Sequence, residues 1–449
     1  MKKVITYGTY DLLHQGHINI LRRAKELGDY LIVGVTNDNF DRERGKLNVR
    51  NNVLERVEAV KATGYADKII IEDYVGQKID DIQKYGVDVF AIGSDWEGKF
   101  DYLKEYCDVV YLPRTEGISS TMLREEMTND TNIGIIGCGR VANRFPSEAS
   151  FVSSVNILGA YDADKDVMKA WKAKFPGHKC YDNADELISE ADAVYIATPH
   201  LSHCDYIKKA LKAKKHVLCE TPMALNGQTA RELYELAEKQ EVILMEANKT
   251  AHCPAFNHLV SLIKSGVIGE VVDVEASLSK LWDDNMSLRE FDPLQAGGSM
   301  YELGSYPLLP ILKFCGLNYE SLNFYSRMKD GVDMYTKGLL RYPHATCSFK
   351  VGLGVKTEGN LVISGTKGYA YVPAPWWKTD YFELRYEDQN DNKKFFYKWD
   401  GTGLRYEIQE FISCIINNRF SSARLRRRES IRMADIMQQF AERKNMFEI

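Results

Sequence analysis

The sequence has no apolar run of membrane-spanning length, no Cys-x-x-Cys pair, no internal repeat and no low-complexity segment. Its nine cysteines are scattered and odd in number. They read as reduced thiols, not as a disulfide framework or a zinc site. A strong charge of either sign is also missing: 58 Lys plus Arg against 63 Asp plus Glu leave −5. That balance gives no support to a nucleic-acid or membrane-surface partner. Met1-Lys2-Lys3-Val4-Ile5-Thr6 enters a strand-like run without a signal-peptide core, so a cytoplasmic location without membrane insertion is expected.

What is present is length and alternation. A chain of 449 residues is long for one hydrophobic core, so two or three domains are expected. Strand-like runs at Val4–Tyr7, Tyr30–Val35, Lys68–Ile71, Val87–Ile92 and Val109–Leu112 alternate with helical stretches such as Ile18–Leu27 and Leu54–Ala62. The pattern predicts a parallel sheet of about five strands, complete by residue 126. The polar stretch Met127–Thr131 is the expected boundary. A second alternation follows at Ile133–Ile136, Val155–Tyr161, Ala193–Ala197, His216–Cys219 and Val242–Glu246. From about Gly269 strands come in succession (Val271–Leu278, Gly338–Tyr342, Thr346–Gly352, Gly359–Ser364), which predicts a mostly antiparallel sheet in an α+β domain, and Tyr406–Lys444 reads as helical.

The first strand ends in Gly8-Thr9-Tyr10-Asp11, followed by His14-Gln15-Gly16-His17 and a helix. A helix N-terminus favours phosphate, and two imidazoles three residues apart can both donate to one triphosphate. Gly16 reads as the place where a phosphate comes close. A second set, Arg114 through Thr121, joins a guanidinium able to fork onto phosphate with hydroxyls that open another helix. Phosphoryl-centre chemistry of this kind depends on positioning and charge neutralisation.

These residues resemble the glycerol-3-phosphate cytidylyltransferase family over nearly all of residues 1–126, including Asp95 through Phe100. The resemblance implies a Rossmann-like nucleotidyltransferase domain (1–127) in which CTP, with Mg²⁺, and a polyol phosphate give a CDP-polyol and pyrophosphate. It implies CTP contacts from Gly8, Thr9, Tyr10, Asp11, His14, His17, Lys46, Asp95, Arg114, Thr115, Glu116, Gly117, Ile118, Ser119, Ser120 and Thr121. His14, His17 and Arg114 are the catalytic residues in that assignment. Arg44 and Lys78 fall where the family places cations on the acceptor phosphate. Gly64 stands where close relatives tend to carry an arginine.

Gly137-Cys138-Gly139-Arg140-Val141-Ala142 lies between a strand and an expected helix, the setting a dinucleotide fingerprint requires. Asp162 follows at the end of the next strand. A carboxylate there suits a ribose diol and favours NAD(H) over NADP(H); it can equally cap the turn Asp162-Ala163-Asp164.

Ala197-Thr198-Pro199-His200 with His203, then Glu220-Thr221-Pro222, and Gly297 through Tyr306, resemble the glucose–fructose oxidoreductase and inositol dehydrogenase family over about residues 132–449. The resemblance implies a Rossmann domain (132–250), an α+β open-faced sheet substrate domain with C-terminal helices (251–449), hydride transfer at a sugar or polyol carbon, and a dimer or tetramer. It assigns the cofactor to Gly137, Gly139, Arg140, Val141, Ala142, Asp162, Thr198, Pro199, His200, His203, Glu220, Thr221 and Pro222. Thr221 stands where the family carries lysine, Glu302 where it carries aspartate, and Tyr306 where it carries histidine. Tyr306 is expected to donate the proton and Lys249 to supply the missing cation; the alternative is a core tyrosine and a solvated lysine.

Together the halves read as a bifunctional enzyme. It reduces a phosphorylated ketose to a polyol phosphate and activates that as CDP-glycerol, CDP-ribitol or a similar donor for teichoic-acid or capsule polymers. The alternatives are a redox-cycling lyase or epimerase, and a non-catalytic NAD-binding domain.

Overall fold

The computed structural model describes residues 1–38, 49, 51–74, 76–113, 130–281 and 288–449. Two compact units divide it, Met1–Thr128 and Asn129–Ile449. Arg44, Lys46 and Arg114 through Thr121 lie outside the described residues, as do Met127, Thr128 and Asn129 of the expected boundary.

The first unit is a five-stranded parallel sheet, in the order Lys68–Glu72, Tyr30–Thr36, Lys3–Gly8, Val89–Gly93, Asp108–Leu112. Successive side chains on a strand point to opposite faces. Val4, Leu31, Val33 and Val89 therefore pack on the helices carrying Leu21, Ala24, Val53 and Val60. Ile5, Ile32, Ile70 and Phe90 pack on the other side with Ile82 and Leu103. Both faces are covered, which is why the strands read as continuous apolar runs. The Val53–Ala62 helix opens with a capping box between Asn52 and Glu55. It closes through Gly64, whose φ of 73° is a left-handed conformation that glycine adopts freely.

The second unit contains a six-stranded parallel sheet, ordered Leu244–Ala247, His216–Glu220, Ala193–Ile196, Thr131–Ile136, Val155–Tyr161, Lys179–Cys180. The helix expected after the glycine loop is short. A single turn at Ala142–Arg144 leads into the five-residue helix Phe145–Ala149.

A nine-stranded sheet follows, ordered Lys393–Phe396, Tyr381–Tyr386, Gly368–Val372, Leu361–Gly365, Val271–Ser279, Thr346–Gly352, Val332–Arg341, Ser321–Lys329, Met446–Glu448. Its pairs are antiparallel except Val271–Ser279 with Thr346–Gly352 and Ser321–Lys329 with Met446–Glu448.

The Leu404–Ile416 helix, expected in the substrate domain, buries Leu404, Ile408, Phe411 and Ile412 against Ile133, Ile135, Tyr195 and Leu218 of the dinucleotide-binding sheet. Apolar area drives that docking, regardless of the sequence distance between the partners. No helix among the described residues is long and apolar enough to cross a membrane.

Candidate active sites

In the first unit the chemistry-bearing residues gather at the C-terminal edge of the sheet. The loop after the Lys3–Gly8 strand is tightly wound: Tyr10 and Leu12 adopt left-handed φ values of 53° and 47°, conformations that side-chain-bearing residues seldom take outside constrained sites. Tyr10 is buried, and its ring covers Gly8, where a Cβ would come within 2.9 Å of it. Asp11, also buried, accepts from the Asn51 N–H at 2.9 Å.

His14 is the N-cap of the Gln15–Lys25 helix, and its Nδ1 accepts from the Gly16 N–H at 3.1 Å. That bond settles the tautomer: in the neutral ring the proton is on Nε2, which is left as a donor. Partial burial lowers the imidazole pKa below its ordinary value, favouring that neutral form. His17, in the first helical turn, stacks on His14 with centroids 4.0 Å apart. Gly16 lies against the capping histidine. A Cβ there would come within 2.9 Å of the His14 ring, so the glycine makes room for the capping histidine.

Lys78 is 8% exposed, paired with Glu72 and 4.5 Å over the Tyr7 ring. Asp95 is exposed in a short turn after the Val89–Gly93 strand. Among the described residues no group of three His, Cys, Asp or Glu is placed to hold a metal.

In the second unit Gly137 has φ 90°, and a Cβ there would come within 2.7 Å of the Ala197 carbonyl. Gly139 is exposed with nothing within 4 Å of its Cβ position. The first glycine is required by the neighbouring strand; the second leaves open backbone. Arg140 is exposed, Val141 half-buried, and Ala142 buried. Asp162 caps its turn, accepting from the Asp164 N–H at 2.9 Å, and it also accepts from the Cys138 N–H at 2.7 Å. It therefore ties the glycine loop to the next strand end.

His203 is buried with its ring nitrogens 2.8 Å from the Thr198 carbonyl and 3.0 Å from that of Pro222. It staples the Thr198-Pro199 turn to the Thr221–Pro222 turn, whose peptide bond is cis. The Thr221 hydroxyl donates to Glu246 at 2.8 Å. His200 lies 3.7 Å from Glu302, which Arg289 pairs at 2.9 Å. Burial pushes the His200 pKa down to about 3, with His203 and Arg289 adding to the shift.

Glu220 accepts from the Tyr195 hydroxyl, whose ring stacks on Phe145 at 4.0 Å. Lys249 and Tyr306 are both half-buried and both feel Glu220 and Glu407. Burial lowers the Lys249 pKa, partly opposed by the two acids. The Tyr306 pKa is raised, by burial first and then by the same acids. Burial and acidic neighbours dominate at this phenol.

The Cytidylyltransferase-like family model matches residues 5–126. The model described as Oxidoreductase family, NAD-binding Rossmann fold, matches 131–248, and that for the GFO/IDH/MocA C-terminal domain matches 256–371. A glycerol-3-phosphate cytidylyltransferase of Bacillus spizizenii is 51% identical over 134 residues, 29% of this chain and 99% of its own. A trans-1,2-dihydrobenzene-1,2-diol dehydrogenase of Oryctolagus cuniculus is 32% identical over 274 residues, 58% of this chain and 82% of its own. The chain belongs to both families: it is a cytidylyltransferase fused to a GFO/IDH/MocA oxidoreductase. A 3-ketoreductase from Actinomadura kijaniata, solved with NADP and TDP-benzene, shares the oxidoreductase fold with a TM-score of 0.63 at 21% identity, covering 72% of this chain and 99% of its own.

Sequence reasoning missed residues in both halves. In the cytidylyltransferase, Arg56 is fully buried and binds the Thr9 carbonyl at 2.8 Å, the Asn51 carbonyl at 2.9 Å and Asp38 at 2.7 Å. It fixes the loop before the histidines. In the oxidoreductase, Glu407 is 1% exposed beside Glu220 and Lys249. Each had a signal: a charged residue on a buried helical stripe, Val53-Arg56-Val60 in one case and Leu404-Glu407-Ile408-Phe411 in the other.

Proposed function

We propose that the oxidoreductase half reduces a phosphorylated ketose or related carbonyl compound to a polyol phosphate. The cytidylyltransferase half then joins that phosphate to the cytidylyl group of CTP, releasing pyrophosphate. The observation that carries this reading is the fusion itself. A unit 51% identical to a glycerol-3-phosphate cytidylyltransferase is followed in the same chain by an oxidoreductase. Reduction of a carbonyl yields an alcohol, so the second half can make the kind of acceptor that the first half consumes. Fusion keeps the intermediate near its next enzyme.

In the transferase, His14 Nε2 and His17 donate to the CTP phosphates, and Arg56 holds the Thr9 loop against them. Gly8, Tyr10, Asp11 and Asp95 complete the described part of the CTP site. Mg²⁺ would arrive with the nucleotide. Lys78 reaches the acceptor phosphate by exchanging its ion pair with Glu72, and Arg44 is assigned to the same phosphate; Lys46 and Arg114 through Thr121 are assigned to CTP.

In the reductase, open backbone at Gly139 and the carboxylate of Asp162 fit a dinucleotide with a free ribose diol, so NADH is favoured over NADPH. A bound nicotinamide supplies the hydride. Tyr306, protonated at neutral pH, donates its proton to the nascent alkoxide, and Lys249 provides positive charge nearby.

The test is mass spectrometry of products from CTP, a reduced nicotinamide cofactor and a panel of ketose phosphates. A CDP-polyol that forms only when both CTP and the reduced cofactor are present is the expected result. Failure of every ketose phosphate to consume NADH overturns the reductase half. Thr221, bonded to Glu246 in the place of the family's lysine, favours one second reading: a redox-cycling lyase or epimerase. That enzyme would convert sugar phosphate with no net change in NADH.

A further inference from the structure

Two side chains at the edge of the reductase sheet are buried without hydrogen-bond partners. Asn248 is fully buried immediately after the Leu244–Ala247 strand, and neither amide atom is bonded among the described residues. It opens the Lys249–His252 helix without capping it through its side chain. Glu407 is 1% exposed, and both of its carboxyl oxygens lack partners among the described residues. Ala247 pairs with Glu220 in the sheet, so Asn248 emerges beside Thr221 at the C-terminal edge. The Lys249–His252 helix packs on Leu404–Ile416, which carries Glu407. Lys249 therefore links the two groups, adjoining Asn248 in the chain and feeling Glu407 across the helix contact.

Buried polar groups are nearly always bonded, because an unbonded one forfeits its hydration for nothing. Two such groups, on separate elements at the edge where open α/β sheets hold ligands, point to bonds completed by a ligand. Their chemistry narrows it. An amide offers donors and an acceptor; a carboxyl group accepts and, when protonated, also donates. Burial and the charge of Glu220 hold the Glu407 carboxyl well above the usual range. Hydroxyl groups, which both donate and accept, satisfy both side chains. A phosphate would meet the carboxyls of Glu220 and Glu407, a poor match for an anion.

We propose that Asn248 and Glu407 form a hydroxyl-binding subsite that selects a carbonyl substrate hydroxylated on the carbons next to the reacting centre. The proposal rests on reading the second half as a reductase of sugar-like carbonyl compounds. Lys249 has a positioning role here. Its ammonium feels the charges of Glu407 and Glu220, opposed by those of Lys378 and Arg144. Thr250, its neighbour, donates to the Trp377 carbonyl at 2.7 Å, which fixes this corner.

The experiment measures thermal protection of the full-length, NAD⁺-loaded protein by free ribitol, with diethylene glycol as the control of similar length. Ribitol is expected to raise Tm and diethylene glycol to leave it unchanged. Asn248→Ala and Glu407→Leu are expected to abolish the ribitol shift, and the isosteric Glu407→Gln to keep it. NAD⁺ affinity should stay within about twofold in all three. No ribitol shift in the wild type overturns the subsite. So does a variant that loosens NAD⁺ about tenfold while keeping the ribitol shift, since the pair would then serve the cofactor. Where ketose phosphates turn over, Asn248→Ala should cut the kcat/KM preference for a hydroxylated substrate over its deoxy analogue by about tenfold; an unchanged ratio counts against the proposal. If no ketose phosphate turns over, the reductase reading fails, while ribitol protection still decides the subsite.

Discussion

The Thr221 hydroxyl donates to Glu246 at 2.8 Å, and the Met223 N–H reaches the same carboxyl oxygen at 3.1 Å. The position at which relatives carry an active-site lysine is thus tied here to a residue that is 3% exposed. Through Glu246, Thr221 is tied to the backbone of Met223.

Thr221→Ala should therefore cost about 1 kcal/mol of stability and leave NADH oxidation within roughly twofold. Tyr306→Phe should lower kcat by on the order of 10²–10⁴ with NADH affinity unchanged. Urea denaturation and stopped-flow NADH oxidation separate the two. Equal kinetic losses in both variants would show that Thr221 takes part in the chemistry.

His14 combines an N-cap with a donor, and the two roles can be divided. His14→Ala should lose about 1 kcal/mol of helix stabilisation and on the order of 10²–10³ in cytidylyl transfer. His14→Asn restores the cap but not the Nε2 donor, so stability should return and activity should not. Pyrophosphate release measures the second effect. NADH oxidation in the other unit should stay constant throughout.

Arg56→Met removes a fully buried guanidinium that donates to Asp38 and to the carbonyls of Thr9 and Asn51. The expected loss is about 3–5 kcal/mol for the first unit, with KM for CTP rising in whatever fraction still folds. Arg56→Lys should not rescue it, because one ammonium cannot span the carbonyls of Thr9 and Asn51 as well as Asp38. A Lys variant with wild-type KM would refute this positioning role.

Acid should weaken the oxidoreductase unit through His200. Its pKa falls from 6.5 to about 3 on folding. Between those values the unfolded chain binds a proton that the folded chain refuses. Stability therefore falls as pH drops through that window, by up to about 1.4 kcal/mol per pH unit. His200→Gln should flatten the pH dependence of Tm between 6 and 4, roughly the centre of that window. An unchanged slope would mean that the histidine titrates normally.

Asp162→Ser should narrow the proposed preference for NADH over NADPH by about tenfold, or 1.4 kcal/mol. It should also loosen both cofactors, because the Cys138 N–H loses its acceptor. Fluorescence titration with each cofactor reads both effects.

The repeating features of this protein are local, and the sequence carries them. Strands buried on both faces appear as apolar runs, as at Tyr30–Thr36, and the glycine positions mark turns after strands, as at Gly8 and Gly137. The short helix after Gly139 was less legible, and so were the outer strands Lys179–Cys180 and Met446–Glu448, only two and three residues long. Strands that short owe their existence to a neighbouring ladder and not to their own pattern. The approach of the His14 ring to Gly16 was not legible either, because it is set by side-chain direction and not by spacing.

The sequence alone determined the two reaction classes and the order of the domains, since loop, cap and sheet patterns are written within a few residues of each other. The tertiary structure decided which charges share a cleft. Glu407 meets Glu220 and Lys249 because the Leu404–Ile416 helix, far along the chain, buries its apolar stripe on the dinucleotide-binding sheet. Hydrophobic burial is non-directional, so no local pattern announces where such a helix docks or which buried polar groups it brings together.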